Sequence, residues 1–420
     1  MNNSKTVVVI GAGLVGLCTA LSLQQRGCRV HVVDPGEPGA GASMGNPGGL
    51  SVTSIFPMAV PGIYKKVPGW ILDPLGPLSI RWQHLPAVAP WMLRFLKAGN
   101  AAQVAVAVAG LYALTAPALD LYQQFAASAD ASDLIRADGH LMVYRSQASM
   151  HAENAAWNKR AALGISFESI SADVLHDMEP ELDPAFQYAR YVPGNGHCAN
   201  PQRLAERFLA AVVRDGGRFH RAAAQGFRLQ DGKVLAVKTD TGELPADYVV
   251  LAAGAQSRQL ARQLGHHIPL EPERGYHAQI TESDVILRRP VFSTEAKVFA
   301  ASMEGGLRFA GTAEFGGAKA PPDWRRADGL LQLGRGMFPR LAKPSASEQV
   351  TRWMGFRPST PDGLPVLGVS SAANNAFFAF GHGHIGVTSA PMTGEIITSL
   401  ISGGTPTVNL APYSPTRFGR

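Results

Sequence analysis

The stretch TVVVIGAGLVGLCTALSLQQRGCRVHVVD, residues 6–34, constrains the fold more than any other part of the chain. Thr6–Ile10 is a β-branched run suited to a strand buried on both faces. Leu14–Gln25 carries apolar residues at helical spacing, and Arg29–Asp34 alternates before ending on a carboxylate. Between the first strand and the helix, Gly11, Gly13 and Gly16 form the pattern G-x-G-x-x-G. The first glycine permits the tight turn, the second lets a pyrophosphate approach the backbone, and the third lets helix and strand pack closely. The helix N-terminus then presents unpaired N–H groups and a partial positive charge to the phosphates. Asp34 stands at the distance, about 20 residues on, from which a carboxylate accepts from a ribose 2′-hydroxyl, and it would repel a 2′-phosphate. A strand–helix–strand unit that holds an adenine dinucleotide is predicted; NAD and FAD both satisfy it.

At 420 residues the chain exceeds what one core usually serves, so two domains are expected. Apolar residues at 46% and charged residues at 17% fit a compact enzyme rather than a disordered polypeptide. The net charge of +6 is dispersed, with no basic run longer than a doublet such as Lys65-Lys66. That excludes nucleic acid as a partner, since such binding needs a clustered basic face. Cys18, Cys28 and Cys198 form no CxxC pair and cannot all be bridged, which places the chain in a reducing, cytoplasmic setting. No histidine spacing suits a metal. The apolar N-terminus lacks a basic n-region and is interrupted by glycine, so neither a signal peptide nor a spanning helix is expected there.

Three further glycine-rich stretches suit a ligand. GAGASMGNPGGLSVTS, residues 39–54, reads as a loop able to wrap one with backbone groups. ADYVVLAAGAQS, residues 246–257, reads as a buried strand ending in small residues where α/β sheets bind ligands. FGHGHIGVTSAPMTGEIITSLISGG reads as a turn opening a last helix, whose N-terminus suits the negative charge of a reduced flavin. The residues before Ala246 read as a β-meander turning at Asp231-Gly232 and Thr241-Gly242. Finally, WMGFRPSTPDGLPVLG, residues 353–368, embeds Arg357 in an apolar run. A guanidinium that cannot deprotonate must find an anionic partner, either a structural carboxylate or a bound one.

Taken together, the N-terminal unit and the motifs GASMGNPGGL, VLAAGA, RGYHAQI, GFRPSTPDGLPVLG and GHGHIGVTSAP, in this order, resemble the D-amino-acid oxidase family of FAD-dependent oxidoreductases over essentially the whole sequence, and among them the bacterial D-amino-acid dehydrogenases. The resemblance implies an α/β (α+β) fold: a Rossmann-type FAD-binding domain with a second, substrate-binding domain built on an antiparallel sheet. The first would be discontinuous, at 1–50, 195–265 and 350–420; the second would take 51–194 and 266–349. The implied non-covalent FAD contacts are Gly11, Ala12, Gly13, Leu14, Val15, Gly16, Asp34, Ser43, Asn46, Gly48, Gly49, Leu50, Ala224, Ala253 and Gly254. The turn Gly381, His382, Gly383, His384, Ile385, Gly386, Val387, Thr388 is implied near the flavin ring. Ala224 departs from the valine usual at its position. Cys198 does not match a covalent flavin anchor.

By the same resemblance Arg357 holds the substrate carboxylate. Tyr276 is a second donor to that carboxylate, and His384, where related dehydrogenases commonly carry threonine, contacts flavin or substrate. His277 is expected to be structural. The implied reaction is oxidative deamination of a D-amino acid by hydride transfer from Cα to flavin N5, giving an imine and then a 2-oxo acid. Two other readings stay open: oxidation of another amine (hydroxy-D-proline, D-proline, glycine or sarcosine), and a flavin-binding subunit without turnover of its own. The electron acceptor, a respiratory-chain quinone or oxygen, is open as well.

Residues 51–100 carry seven of the 30 prolines and three of the six tryptophans, interspersed with Lys65, Lys66, Arg81, Arg94 and Lys97. The prolines argue against a long helix there. Two readings fit: an irregular cap over the active site, or a peripheral contact with the inner face of a membrane or with a partner. Residues 101–131 are alanine-rich and predicted helical, with a break at Pro117.

Overall fold

A computed structural model describes residues 4–73, 75–344 and 348–419; Pro74, one of the seven prolines between 51 and 100, lies outside the described residues. Thr6–Ile10 is the hub of a six-stranded sheet. In spatial order the strands are Arg218–Arg221, Arg29–Asp34, Thr6–Ile10, Tyr248–Leu251, Ala376–Phe380 and Val366–Val369; all pair in parallel except the last, which is antiparallel. Alternation of side chains accounts for the uninterrupted valine run. Val7 and Val9 face one core with helices Leu14–Gln25, Pro201–Arg214 and Gly386–Ile401, while Val8 and Ile10 face another with Val234, Val237 and Leu260. The helices cross closely: a Cβ on Gly394 of the last helix would stand 2.8 Å from the Cys18 carbonyl oxygen in the first.

The meander forms as read, with strands Ala224–Gln230, Lys233–Thr239 and Gly242–Pro245 and a turn in which Asp231 and Gly232 both take positive φ. The residues just ahead of it go elsewhere. Arg218–Arg221 leaves the meander and extends the parallel sheet beside Arg29–Asp34.

The second large sheet is mixed and mainly antiparallel, with nine strands among the described residues. Its edge is the ladder between Glu271–Thr281 and Gln349–Ser359, unbroken over eleven cross-strand pairs. Gly306–Phe315 lies on the other side of Glu271–Thr281. Gln349–Ser359 falls almost wholly inside the range 350–420 that sequence assigned to the nucleotide-binding part, yet it pairs here along its whole length.

The described residues between 57 and 98 pack as a separate layer around Trp91, Phe95, Ile80 and Phe315. The proline argument against a long helix fails at Leu85–Ala98, which runs 14 residues. Pro86 falls in the first turn, where no N–H is needed, and Pro90 removes only one further bond. The alanine-rich segment folds as Ala101–Thr115 and Ala118–Ser128, broken at Pro117 as expected. Ala101–Ser128 is apolar and long enough to cross a membrane by composition. Leu111, Leu114, Tyr122 and Phe125 are buried, and 39% of its apolar window is covered by the rest of the protein.

Candidate active site

The two sheets meet across a cavity of about 860 Å³. Its lining joins the Asp34–Glu37 turn and Ala224 to the Gly11–Val15 turn, and that in turn to Arg357, Gly383 and His384.

The three N-terminal glycines divide their roles by geometry. Gly11 has φ of +116°, and a Cβ there would lie 2.4 Å from the Ala252 carbonyl oxygen. A Cβ on Gly16 would lie 2.0 Å from the Gly11 carbonyl oxygen, so any side chain would push helix from strand. At Gly13 the nearest protein atom to such a Cβ is Ser43 Oγ at 3.6 Å, and the remaining space is cavity. The helix N-terminus carries no side-chain cap from Gly13. Asp34 accepts from the Ala12 and Gly36 N–H groups, both at 2.8 Å, which aims the carboxylate across the turn. The arrangement has the form that suits a dinucleotide pyrophosphate and ribose: glycine where phosphate must approach, a helix N-terminus behind it, a fixed carboxylate beyond.

Of the residues predicted to hold the cofactor, Gly11, Ala12, Gly13, Leu14, Val15, Asp34, Ser43, Asn46, Ala224, Ala253, Gly254, His382, Gly383, His384, Gly386 and Val387 line the cavity. Gly16, Gly48, Gly49, Leu50, Gly381, Ile385 and Thr388 stand behind its wall. Leu50 and Ile385 are core residues. Gly48 presses on the Cys198 carbonyl, and the Thr388 hydroxyl donates to the Gly49 carbonyl at 3.1 Å. His382 is buried, bonds Thr393 Oγ1 at 3.0 Å, and burial pushes its pKa down to about 3.

Three residues that sequence reasoning left without a role at the cofactor pin the loop 43–47 from the other sheet. Arg308 Nη1 donates to the Met44 and Asn46 carbonyls at 2.9 and 2.6 Å. His277, expected to be structural, contacts the Gly45 carbonyl through Nδ1 at 2.9 Å. Its ring stacks on Trp353, which lies so close over Gly45 that a Cβ there would stand 2.1 Å from the indole.

The floor of the cavity is built from the edge ladder. On one face of Gln349–Ser359 lie Trp353, Gly355 and Arg357; opposite them, in register, lie His277, Gly275 and Glu273. An aromatic stack, a glycine pair and an ion pair follow one another. Arg357 Nη1 donates to Glu273 Oε1 at 2.7 Å and to the Thr312 carbonyl at 3.1 Å. Glu273 is 1% exposed, and its other oxygen accepts from Ser359 Oγ at 2.7 Å. Ser359 in turn receives the Trp91 indole N–H on its carbonyl, at 3.2 Å. Both Nη1 protons are thus committed. The Nε–Nη2 edge folds over Gly275, where a Cβ would stand 2.7 Å from Cζ, and it has no partner among the described residues. That edge holds two parallel N–H groups, the geometry that grips a carboxylate. Arg357 therefore meets both kinds of partner that its apolar setting demanded: a structural carboxylate fixes one end and a free fork remains at the other.

Tyr276 is among the residues lining the cavity, but its hydroxyl is engaged elsewhere. One residue out of step with Glu273, Gly275 and His277, its side chain projects to the opposite face of the strand. There its hydroxyl donates to Glu314 Oε2 at 2.6 Å and accepts from the Asp323 N–H at 3.1 Å. Burial, and then Glu314, raise its pKa. The phenol has no proton left for a ligand carboxylate beside Arg357. His384, by contrast, is exposed because it faces the cavity although deep in the molecule, and it lies within electrostatic reach of Glu273 and Arg357. Desolvation by the surrounding protein lowers its pKa, with Glu273 opposing and Arg357 assisting, so the imidazole is neutral at pH 7. Among the described residues lining the cavity the only carboxylates are Asp34 and Glu37, at the dinucleotide cradle.

A family model described as FAD dependent oxidoreductase, DAO, matches residues 6–400. A D-amino-acid oxidase of Bradyrhizobium diazoefficiens is 38% identical over 100% of both proteins. A D-amino acid dehydrogenase 2 of Ralstonia nicotianae is 32% identical over 98% of this chain and 100% of its own. Among solved structures, an L-proline dehydrogenase from P. horikoshii superposes with a TM-score of 0.76 at 19% identity, covering 100% of this chain and 98% of its own. At that identity the last likeness speaks for the fold alone.

Proposed function

The chain belongs to the DAO family of FAD-dependent oxidoreductases, enzymes acting on amino acids and amines, and from that premise we propose that it oxidises the Cα–N bond of D-amino acids. The free Nε–Nη2 edge of Arg357, held in place by Glu273, is the observation that carries this reading. FAD would be held by Gly11, Gly13 and Asp34 and would supply the acceptor for the hydride leaving Cα. The protein's own part is positional. Arg357 takes the substrate carboxylate by two hydrogen bonds and so fixes the direction in which Cα–H points. Gly275 and Gly355, which carry no side chains, leave the room that the Arg357 guanidinium and the Trp353 indole occupy over the strand pair. No carboxylate among the described residues lines this end of the cavity to act as a base, which suits a substrate bound with its amine already neutral. His384, itself neutral, offers a nitrogen to the amine or to a polar substituent. Water then hydrolyses the imine to a 2-oxo acid and ammonia. The proposed division is 1–50, 195–265 and 360–420 for FAD and the remainder for substrate, with Gln349–Ser359 counted on the substrate side because of its pairing.

A second reading draws on His384. A histidine facing the carboxylate clamp favours a substrate with a hydroxyl there, such as hydroxy-D-proline. Anaerobic bleaching of the purified yellow holoenzyme separates the readings. D-alanine and other acyclic D-amino acids should bleach it faster than their L-forms. Bleaching confined to proline analogues moves the function to the second reading, and confinement to glycine or sarcosine refutes both. No bleaching by any of them leaves a flavin-binding subunit. On re-admission of air, peroxide identifies oxygen as the acceptor; its absence, with quinone reduction, identifies a respiratory quinone.

A further inference from the structure

The layer formed by the described residues between 57 and 98 has an inner face that accounts for its packing and an outer face unlike an ordinary protein surface. Four of the five most exposed large apolar side chains among the described residues belong to it: Leu72, Trp82, Leu93 and Tyr64, each more than 60% exposed. Helix Leu85–Ala98 shows the pattern most plainly. Val88, Trp91, Met92 and Phe95 turn inward, as an amphipathic helix requires. Its exposed positions are Pro86, Ala87, Pro90 and Leu93, followed by Arg94 and Lys97. The helix is therefore apolar on both sides, and the outer side ends in cations.

Charge on this face is predominantly positive. Lys65, Lys66, Arg94 and Lys97 are exposed and meet no carboxylate among the described residues. Arg81 is neutralised by Glu314 beneath the layer. Asp73 is the one acidic residue between positions 57 and 100. A surface kept merely soluble mixes both signs and breaks up apolar groups. This one combines protruding Trp, Tyr and Leu with unpaired Lys and Arg, side chains that reach from an apolar body to a charged tip.

We propose that this layer docks on an anionic lipid bilayer. The apolar tips stand on short, separate elements: a 3₁₀ turn at Ile63–Lys66, the helix Val67–Leu72, a second 3₁₀ turn at Trp82–His84 and the helix Leu85–Ala98. A protein partner would need a matching pocket for each tip. The headgroup region of a bilayer accepts all of them without one, while the lysines lie at the depth of anionic headgroups. The proposal is independent of which amine the enzyme oxidises.

Flotation of the holoenzyme with vesicles tests it. The enzyme should float with an equal mixture of phosphatidylcholine and phosphatidylglycerol, stay behind with phosphatidylcholine alone, and release as salt rises. Replacing both lysines, Lys65→Gln and Lys66→Gln, should lower the partition coefficient about 30-fold, at about five-fold per cation. Trp82→Ala and Leu72→Ala should each lower it further. None of these residues lines the cavity, so bound FAD and turnover in solution should stay as they are. Failure to float with anionic vesicles at low salt overturns the proposal. So does wild-type flotation by the double lysine variant, which would put the contact elsewhere, or equal flotation on neutral lipid. Retention on immobilised polyglutamate without vesicle binding would assign the face to an acidic macromolecule instead.

Discussion

Glu273 sits on the far side of Arg357 from the proposed substrate carboxylate, and that placement makes a quantitative demand. Glu273→Gln keeps the shape: the amide oxygen can still accept from Arg357 Nη1, now 2.7 Å away, and the amide nitrogen can donate to Ser359 Oγ, also at 2.7 Å. What is removed is one negative charge. A carboxylate on the Nε–Nη2 edge would lie roughly 6–7 Å from it across the guanidinium, where two like charges repel by about 2.5 kcal/mol at an effective dielectric of about 20. The Arg357 side chain is 25% exposed, so water in the cavity screens part of this. Halving the figure leaves about 1.2 kcal/mol, or roughly an eight-fold gain in affinity. The variant should therefore show a KM for the amino acid, and an inhibition constant for a simple carboxylate, several-fold below those of the wild type, with FAD still bound. A raised KM in a folded, yellow protein would refute the reasoning: Glu273 would then matter for keeping Arg357 in place and not for moderating its charge.

Arg357→Lys exchanges a fork for a point charge and forgoes one charged hydrogen bond worth about 1.5–3 kcal/mol, so kcat/KM should fall roughly 10- to 150-fold with the flavin spectrum unchanged. Gly275→Ala places a methyl 2.7 Å from the Arg357 Cζ; at least a ten-fold rise in KM is expected, and an unchanged KM would show that the guanidinium need not lie there. Tyr276→Phe should leave KM for the carboxylate near wild type while lowering Tm, since its hydroxyl serves Glu314 and Asp323. Four buried histidines set an acid limit: burial lowers His140 to about 4 and His197, His277 and His382 to about 3. Below pH 6.5 the unfolded polypeptide binds protons that these native rings refuse, so each removes about 1.4 kcal/mol of stability per pH unit down to its native pKa. Glu179, raised to about 7 by burial, works in the opposite sense between pH 4.5 and 7 and offsets about one of them. Thermal melts should therefore show Tm falling steeply from pH 6 to pH 4; a flat profile would refute the burial argument.

What the sequence made legible was local. The roles of Gly11 and Gly16 depend on atoms a few residues away, and they appear where the pattern puts them. Arg357 drew attention because a guanidinium in an apolar run demands a partner. The partner could not be read the same way. Glu273 lies 84 residues earlier, and only the register of two long strands sets it opposite. Once Gly275 pairs with Gly355 the assignment is forced, and the same parity turns Tyr276 away. Arg308, His277 and Trp353 were missed as anchors of the 43–47 loop for a related reason: each acts on backbone more than 200 residues distant. The helix Leu85–Ala98 was lost to a rule about proline that does not apply in a first turn.

The interleaving of the cradle bears on the order of events on the ribosome. Residues 6–34 emerge early, yet the loop they need is held by Trp353, and their helix packs on Gly386–Ile401. A nascent polypeptide released anywhere before about residue 390 would own the glycine turn without the wall that closes it, and long-range pairings of this kind form late. Flavin capture belongs to the finished polypeptide, and C-terminal truncations should emerge colourless even where their first strands are intact.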